Sequence, residues 1–208
     1  MAKPILWIAL ALAGYLLGCA NGAILTSKIF YRDDVRKHGS GNAGLTNFYR
    51  TYGAKLMLCV VAIDMLKAVI AVELGGYFLG GALGKYFMGF FCMLGHMFPA
   101  PYGFKGGKGI LSSGTLLLCL DWRVALVSWG AFLVLVLLTR YVSLGSVAAA
   151  VLLPVTTFFV YRGAPQFPWI MLLGALIGGM VTWAHRANIG RLLHGTESKF
   201  TIHKEAKK

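Results

Sequence analysis

Val124 to Val160 reads VALVSWGAFLVLVLLTRYVSLGSVAAAVLLPVTTFFV, a stretch in which Arg140 is the one charge. Two apolar runs, Val124 to Thr139 and Leu144 to Val160, flank a short turn, Arg140 to Ser146, that carries Ser143 and Ser146. At 1.5 Å per residue each run approaches the ~30 Å depth of a bilayer's hydrocarbon core. A helical hairpin in lipid is the reading. Similar runs lie on both sides: Pro4 to Leu25, Leu56 to Val72, Tyr86 to Phe98, Ile110 to Leu120 and Trp169 to Ala184. Together they predict an all-α membrane protein of about seven transmembrane helices.

Composition agrees. The chain has 208 residues, 58% hydrophobic and 13% charged, with a mean hydropathy of +0.70; a soluble domain carries about twice that charge fraction. The apolar content is spread evenly, so one domain over residues 1–208 is expected, with no soluble module. The first run is read as a membrane helix and not a leader, since no small-residue cleavage site ends it. The net charge of +13 would suggest nucleic acid in a soluble protein, but basic residues at the inner ends of membrane spans explain it here. No nucleic-acid partner is expected. The four cysteines, Cys19, Cys59, Cys92 and Cys119, lie in apolar runs without zinc-ligand spacing and read as small helix residues.

Charge also predicts the orientation. With the amino terminus outside, fifteen Lys and Arg fall on the inner face, from Lys28 through Arg140 to the six from Arg186 onward, against Lys3, Lys85, Arg123 and Arg162 outside. The positive-inside rule then puts the carboxyl terminus in the cytoplasm, which requires an odd number of spans. The polar tail from Lys199 is expected to fray.

That arrangement gathers four polar segments on one side. GSGNAGLTNFYR, Gly39 to Arg50, offers glycines that let backbone N–H groups approach a ligand, and Ser40, Asn42, Thr46 and Arg50 as anion donors. Alone, such a loop reads equally as a solvated turn. FKGGKG, Phe104 to Gly109, sets Lys105 and Lys108 around Gly106 and Gly107 at the start of a helix, where unpaired N–H groups favour an anion. It is not a Walker loop, since Tyr102 and Gly109 stand at positions that pattern gives to Gly and Ser/Thr. HRANIGRLLHGTE, His185 to Glu197, puts His185 and Asn188 on one helical face, a proton acceptor beside an orienting amide. The Arg140–Ser146 turn is the fourth. Inside the second run, Asp64 and Lys67 are spaced as an intramembrane ion pair, read as structural. His96 divides evenly between packing and function.

Several chemistries lack their residues. The fifth residue after His96, His185 and His194 is Pro101, Gly190 and Lys199, so no HxxxxD acyltransferase box exists. There is no GxSxG elbow and no carboxylate cluster for a metal. No cofactor, metal or covalent intermediate is expected.

GSGNAGLTN with Arg50, GHMFP with FKGGKG, and HRANIGRLLHGTE together resemble the acylphosphate:glycerol-3-phosphate acyltransferases, the bacterial PlsY family, collinearly over essentially the whole chain. Two departures affect backbone shape: Ala43 stands where the family usually has proline, and Cys19–Asn21 where it has a Ser-Ile-Pro run. The resemblance implies seven helices, a cytoplasm-facing site in the bacterial inner membrane, and transfer of a fatty acyl group from acyl phosphate to the 1-hydroxyl of glycerol 3-phosphate, giving lysophosphatidic acid. Both substrates carry phosphate, matching the two donor clusters, Ser40, Gly41, Asn42, Thr46 and Arg50 with Lys105, Gly106, Gly107 and Lys108. His185 and Asn188 are placed at the glycerol hydroxyl, with Ser143 as a helper. The proton goes either to His185 or to the departing phosphate. Expected partners are the two substrates and membrane lipid, and the chain is expected to act as a monomer. The competing expectations are an organic-phosphate transporter, which would place its site near the midplane between repeats, and a lipid-binding scaffold, which would need none of these motifs.

Overall fold

The computed structural model describes residues 4–200, and among them every regular element is helical. Lys3 and most of the tail expected to fray lie outside the described residues. The ten α-helices are α1 Pro4–Cys19, α2 Gly22–Tyr31, α3 Leu45–Tyr52, α4 Met57–Gly75, α5 Gly81–Met97, α6 Ile110–Leu120, α7 Trp122–Thr139, α8 Val142–Tyr161, α9 Phe167–Ala184 and α10 Arg186–Leu193. Three of them, α7, α8 and α9, are long and apolar enough to cross a membrane unaided, and α1 with α2 makes a fourth if the bent pair is counted as one span. Large side chains such as Leu137 and Leu138 point outward, both 78% exposed. A lipid surround makes that exposure favourable.

The first run is not one helix. It breaks after Cys19, and α2 leaves α1 at 47°. A break at membrane depth strands backbone groups that must find partners inside the protein. Asn21 accepts a hydrogen bond from the Ile24 N–H (3.0 Å) and caps α2. Asp64 Oδ1 accepts from the Gly22 N–H (3.0 Å). Lys67 Nζ donates to the Ala20 carbonyl (2.9 Å) and, at 3.3 Å, to the Gly18 carbonyl. Asp64 and Lys67 are themselves paired at 2.7 Å, with side chains 3% exposed. The carboxylate therefore meets the positive end of one helix and the ammonium the negative end of another, an arrangement that lowers the cost of burying both charges. Both departures from the family pattern meet at this break, since Asn21 Nδ2 donates to the Ala43 carbonyl (3.1 Å).

The other expected helices form with shifted ends. The third starts five residues earlier than read, at Gly81, because its first turn packs by glycine against α4 instead of by apolar side chains. Close backbone approach holds α1 on α5: a Cβ on Gly18 would run into the Cys92 carbonyl, and one on Gly95 into the Tyr15 carbonyl. Small residues allow helices in lipid to gain contact and dispersion energy. Two short amphipathic helices lie outside the apolar runs: α10, where His185 and Asn188 were expected on one helical face, and α3, read only as a polar motif; each buries an asparagine, Asn188 or Asn47.

One end of the bundle is tied by Lys85 Nζ donating to the Cys119 carbonyl (3.0 Å) and the Tyr161 hydroxyl donating to Asp121 (3.1 Å). The four polar segments meet at the opposite end.

Candidate active site

Gly39 and Gly41 take φ of +55° and +69°, a left-handed region open to glycine. The loop between them is pinned by Asn47, whose Oδ1 accepts from the Ser40 N–H while Nδ2 donates to the Val35 and His38 carbonyls, all at 3.0 Å. This sets Ser40, Thr46 and Arg50, all solvent-exposed, along one rim.

A second clamp joins this segment to the lysine loop. Arg36 Nη1 donates to the Tyr102 carbonyl (2.6 Å) and the Lys105 carbonyl (3.0 Å), while its other nitrogens hold Asp34 bidentately. The Arg36 guanidinium holds the Asp34 carboxyl down at about 2, so the clamp stays charged throughout the neutral range. Arg36→Ala is expected to loosen the lysine loop and raise the KM for a phosphorylated substrate about tenfold. Arg36→Lys recovers little, because an ammonium cannot make both contacts. Steady-state kinetics on both variants test this.

The lysine loop folds back on α5, with the Gly106 N–H donating to the Met97 carbonyl (3.1 Å) and the Gly107 N–H to the His96 carbonyl (3.2 Å). Lys108 turns inward and its Nζ donates to Asn188 Oδ1. Burial pushes the Lys108 ammonium below the ordinary lysine range, and repulsion from Arg191 adds to it.

The third wall comes from α8, α10 and the residues that flank α10. His185, 3% exposed, caps α9; its Nδ1 lies 2.8 Å from the Val181 carbonyl. A carbonyl only accepts, so Nδ1 carries the proton and Nε2 keeps a lone pair. Burial holds His185 below the ordinary imidazole range, so that lone pair is free at neutral pH. Glu197 gathers the rest: Oε1 accepts from Ser143 Oγ and from Asn188 Nδ2, each at 2.7 Å, and Oε2 from Arg191 Nε at 2.6 Å. Burial opposes ionisation of Glu197, but these three donors outweigh it and keep the carboxyl below its usual range. The Phe200 N–H then donates to the Arg140 carbonyl (2.8 Å), holding the segment after α10 against the α7–α8 turn.

These walls enclose one cavity of about 530 Å³. Of the residues expected in the site, Ser40, Asn42, Thr46, Arg50, Lys108, Ser143, His185 and Asn188 line it. Gly41, Lys105, Gly106 and Gly107 do not; the Lys105 side chain is exposed and contributes only its carbonyl to the Arg36 clamp. Glu197 and Arg191 also line it and were passed over in the sequence. A carboxylate closing the HRANIGRLLHGTE motif among basic residues was the available signal. The lining from α6 and α7 is apolar, with Ile110, Leu111, Trp129 and Phe132. Among the described residues no group of His, Cys, Asp and Glu is arranged to hold a metal ion.

The family model described as glycerol-3-phosphate acyltransferase matches residues 8–195. The chain belongs to the glycerol-3-phosphate acyltransferase family. A glycerol-3-phosphate acyltransferase of Finegoldia magna is 41% identical over 192 residues, 92% of this chain and 95% of the relative. One from Mesorhizobium japonicum is 40% identical over 186 residues, 89% and 92%. Among solved structures, the glycerol 3-phosphate form of PlsY (YgiH), an integral membrane glycerol 3-phosphate acyltransferase, superposes with a TM-score of 0.78 at 34% identity, covering 94% of this chain and 96% of that one. Its lysophosphatidic acid form gives 0.79 at 32%, covering 94% and 95%. The chain is thus a membrane acyltransferase, and a cavity lined by both donor groups and apolar side chains is what a phosphorylated polar acceptor and a fatty donor would need.

Proposed function

We propose that this chain transfers a fatty acyl group from acyl phosphate to the 1-hydroxyl of glycerol 3-phosphate, releasing phosphate and 1-acyl-glycerol 3-phosphate. The observation that carries the reading is the division of one cavity into a cationic and amide wall and an apolar wall. Ser40, Asn42, Thr46, Arg50 and Lys108 bind the two phosphates, with Gly41 and the Lys105–Gly107 backbone shaping their loops. The acyl chain lies along Ile110, Leu111, Trp129 and Phe132, entering from the inner leaflet. Asn188 and Ser143, both held by Glu197, orient the hydroxyl.

An acyl phosphate is a mixed anhydride with a good leaving group, so an aligned alcohol attacks it directly and positioning supplies much of the acceleration. The hydroxyl oxygen bonds to the acyl carbon, the carbon–oxygen bond to phosphate breaks, and His185 Nε2 takes the hydroxyl proton. No enzyme acyl intermediate forms. His185→Gln is expected to lower kcat about 100-fold. Because burial depresses His185, the acid limb of the wild-type kcat/KM profile falls below the ordinary imidazole range, and that limb disappears in the variant. Full kcat at every pH in His185→Gln would assign the proton to the departing phosphate instead.

The bundle crosses the bacterial inner membrane seven times, as α1 with α2, then α4 to α9. Three charges in α4, the length of α5 and the shortness of α6 keep those helices from qualifying as spans by apolarity alone. The amino terminus is outside, the carboxyl terminus and the cavity face the cytoplasm, following the basic residues, and the chain works as a monomer. Purified protein given palmitoyl phosphate and labelled glycerol 3-phosphate should form a labelled lipid, with palmitoyl-CoA giving none. Equal product from the thioester, or none from either, would overturn the donor assignment.

A further inference from the structure

His96 sits near the end of α5, 3% exposed, and lines the same cavity. Its Nδ1 lies 2.7 Å from Lys67 Nζ and 3.5 Å from Asn21 Nδ2. Lys67 Nζ is also met by the Ala20 carbonyl (2.9 Å) and by Asp64 Oδ1 (2.7 Å). Those two and the Gly18 carbonyl (3.3 Å) only accept, and a nitrogen that donates to three acceptors is an ammonium, with no lone pair. The groups within hydrogen-bond distance of His96 Nδ1 are therefore both donors, the Asp64 carboxylate standing farther off at 3.6 Å. Nδ1 must supply the lone pair, and the ring proton of a neutral imidazole falls on Nε2.

That N–H has no hydrogen-bond partner among the described residues. It lies against Gly107, where a Cβ would collide with Nε2, one residue before the inward-turned Lys108. His185 has the opposite arrangement, with its proton on Nδ1 and a lone pair on Nε2. One cavity thus holds an imidazole fixed as acceptor and another fixed as donor.

We propose that His96 is a further substrate-contacting residue, its Nε2–H donating to an anionic phosphate oxygen at the inner end of the cavity, and that Lys67, Asp64 and Asn21 are positioning residues that fix its tautomer. The buried ion pair then has two roles, closing the break between α1 and α2 and orienting a donor. The inference rests on the acyl-transfer reading, but it is tested by comparing variants with a wild-type protein that makes product, so the two can fail separately.

The test uses His96→Asn, which retains an acceptor towards Lys67 but has nothing at the Nε2 position, and His96→Gln, whose amide N–H₂ reaches that position. His96→Asn is expected to lose about tenfold to 100-fold in kcat/KM, the usual effect of removing a hydrogen bond to a charged group, and His96→Gln to recover a large part. KM measured separately for palmitoyl phosphate and for glycerol 3-phosphate identifies which phosphate is held, as the one whose KM rises. Wild-type protein with ¹⁵N-labelled histidine supplies a readout independent of variant folding. The His96 resonances should report an unprotonated Nδ1 and a protonated Nε2, and the Nε2–H signal should shift on adding inorganic phosphate. A proton on Nδ1, a signal unmoved by saturating phosphate, or equal kinetics for His96→Asn, His96→Gln and wild type would each overturn the proposal.

Discussion

Replacing Lys108 by alanine is expected to lower kcat/KM by about 1,000-fold, the upper range for removing one preorganised donor to developing negative charge. Of the two lysines in the glycine loop, Lys108 is the one that turns into the cavity, held by Asn188 just before α6. Its charge acts where burial has already weakened hydration, so a phosphate oxygen gains more from it than from an exposed ammonium. The same burial lowers its pKa, and the active form is the protonated one. Activity should therefore fall with rising pH earlier than an ordinary lysine would dictate. Lys105→Ala is the control. Its side chain is exposed and outside the cavity wall, so a loss below about tenfold is expected. Parallel kinetics over a pH series decide the matter; equal losses in the two variants would mean that the loop, and not the inward ammonium, carries the effect.

Asp64→Ala is expected to destabilise the protein by about 3–5 kcal/mol, because it leaves Lys67 buried without its counter-charge. The carboxylate also satisfies the Gly22 N–H at the start of α2, so the first bent span loses a cap together with the pair. Adding Lys67→Met should return part of the loss. A double variant less destabilised than Asp64→Ala alone would show that the unpaired charge dominates, whereas a larger loss would place the energy in the helix break. Thermal unfolding in detergent, compared across the three variants, measures this.

Glu197 presents a subtler case. It links Ser143, Asn188 and Arg191 at the mouth of the cavity, and no covalent feature marks it. Glu197→Gln keeps the shape but gives up the charge that three donors meet, so Asn188 and Lys108 lose their fixed geometry. An approximately tenfold drop in kcat/KM is expected, from two weakened charge-assisted hydrogen bonds. As pH falls through its lowered pKa the wild type should approach the variant's rate, since its carboxyl is then neutral too.

The chain's own residues announced a good part of this. Apolar runs with a basic turn at Arg140 can only be helices in lipid, because backbone polar groups there must pair within the segment. Three collinear motifs likewise announced the family, and Ser40, Asn42, Thr46, Arg50, Lys108, Ser143, His185 and Asn188 were all legible as donors or acceptors by residue type alone. Asp64 and Lys67 were legible as an ion pair, since i and i+3 are neighbours on a helix.

What they pair with was not. The break at Cys19–Asn21 sits inside an unbroken apolar run, and only a carboxylate and an ammonium from α4 make it tolerable. The inward turn of Lys108 and the outward turn of Lys105 differ by three residues in the same glycine loop, and it is Asn188, from the far end of the chain, that meets the one and not the other. Local sequence determined the helices and the inventory of charged groups, because lipid exclusion and residue chemistry act position by position. Which histidine donates and which accepts, and which lysine faces the cavity, depends on partners distant in the chain; hydrogen-bond direction is a property of the pair, and only the packed bundle brings the pairs together.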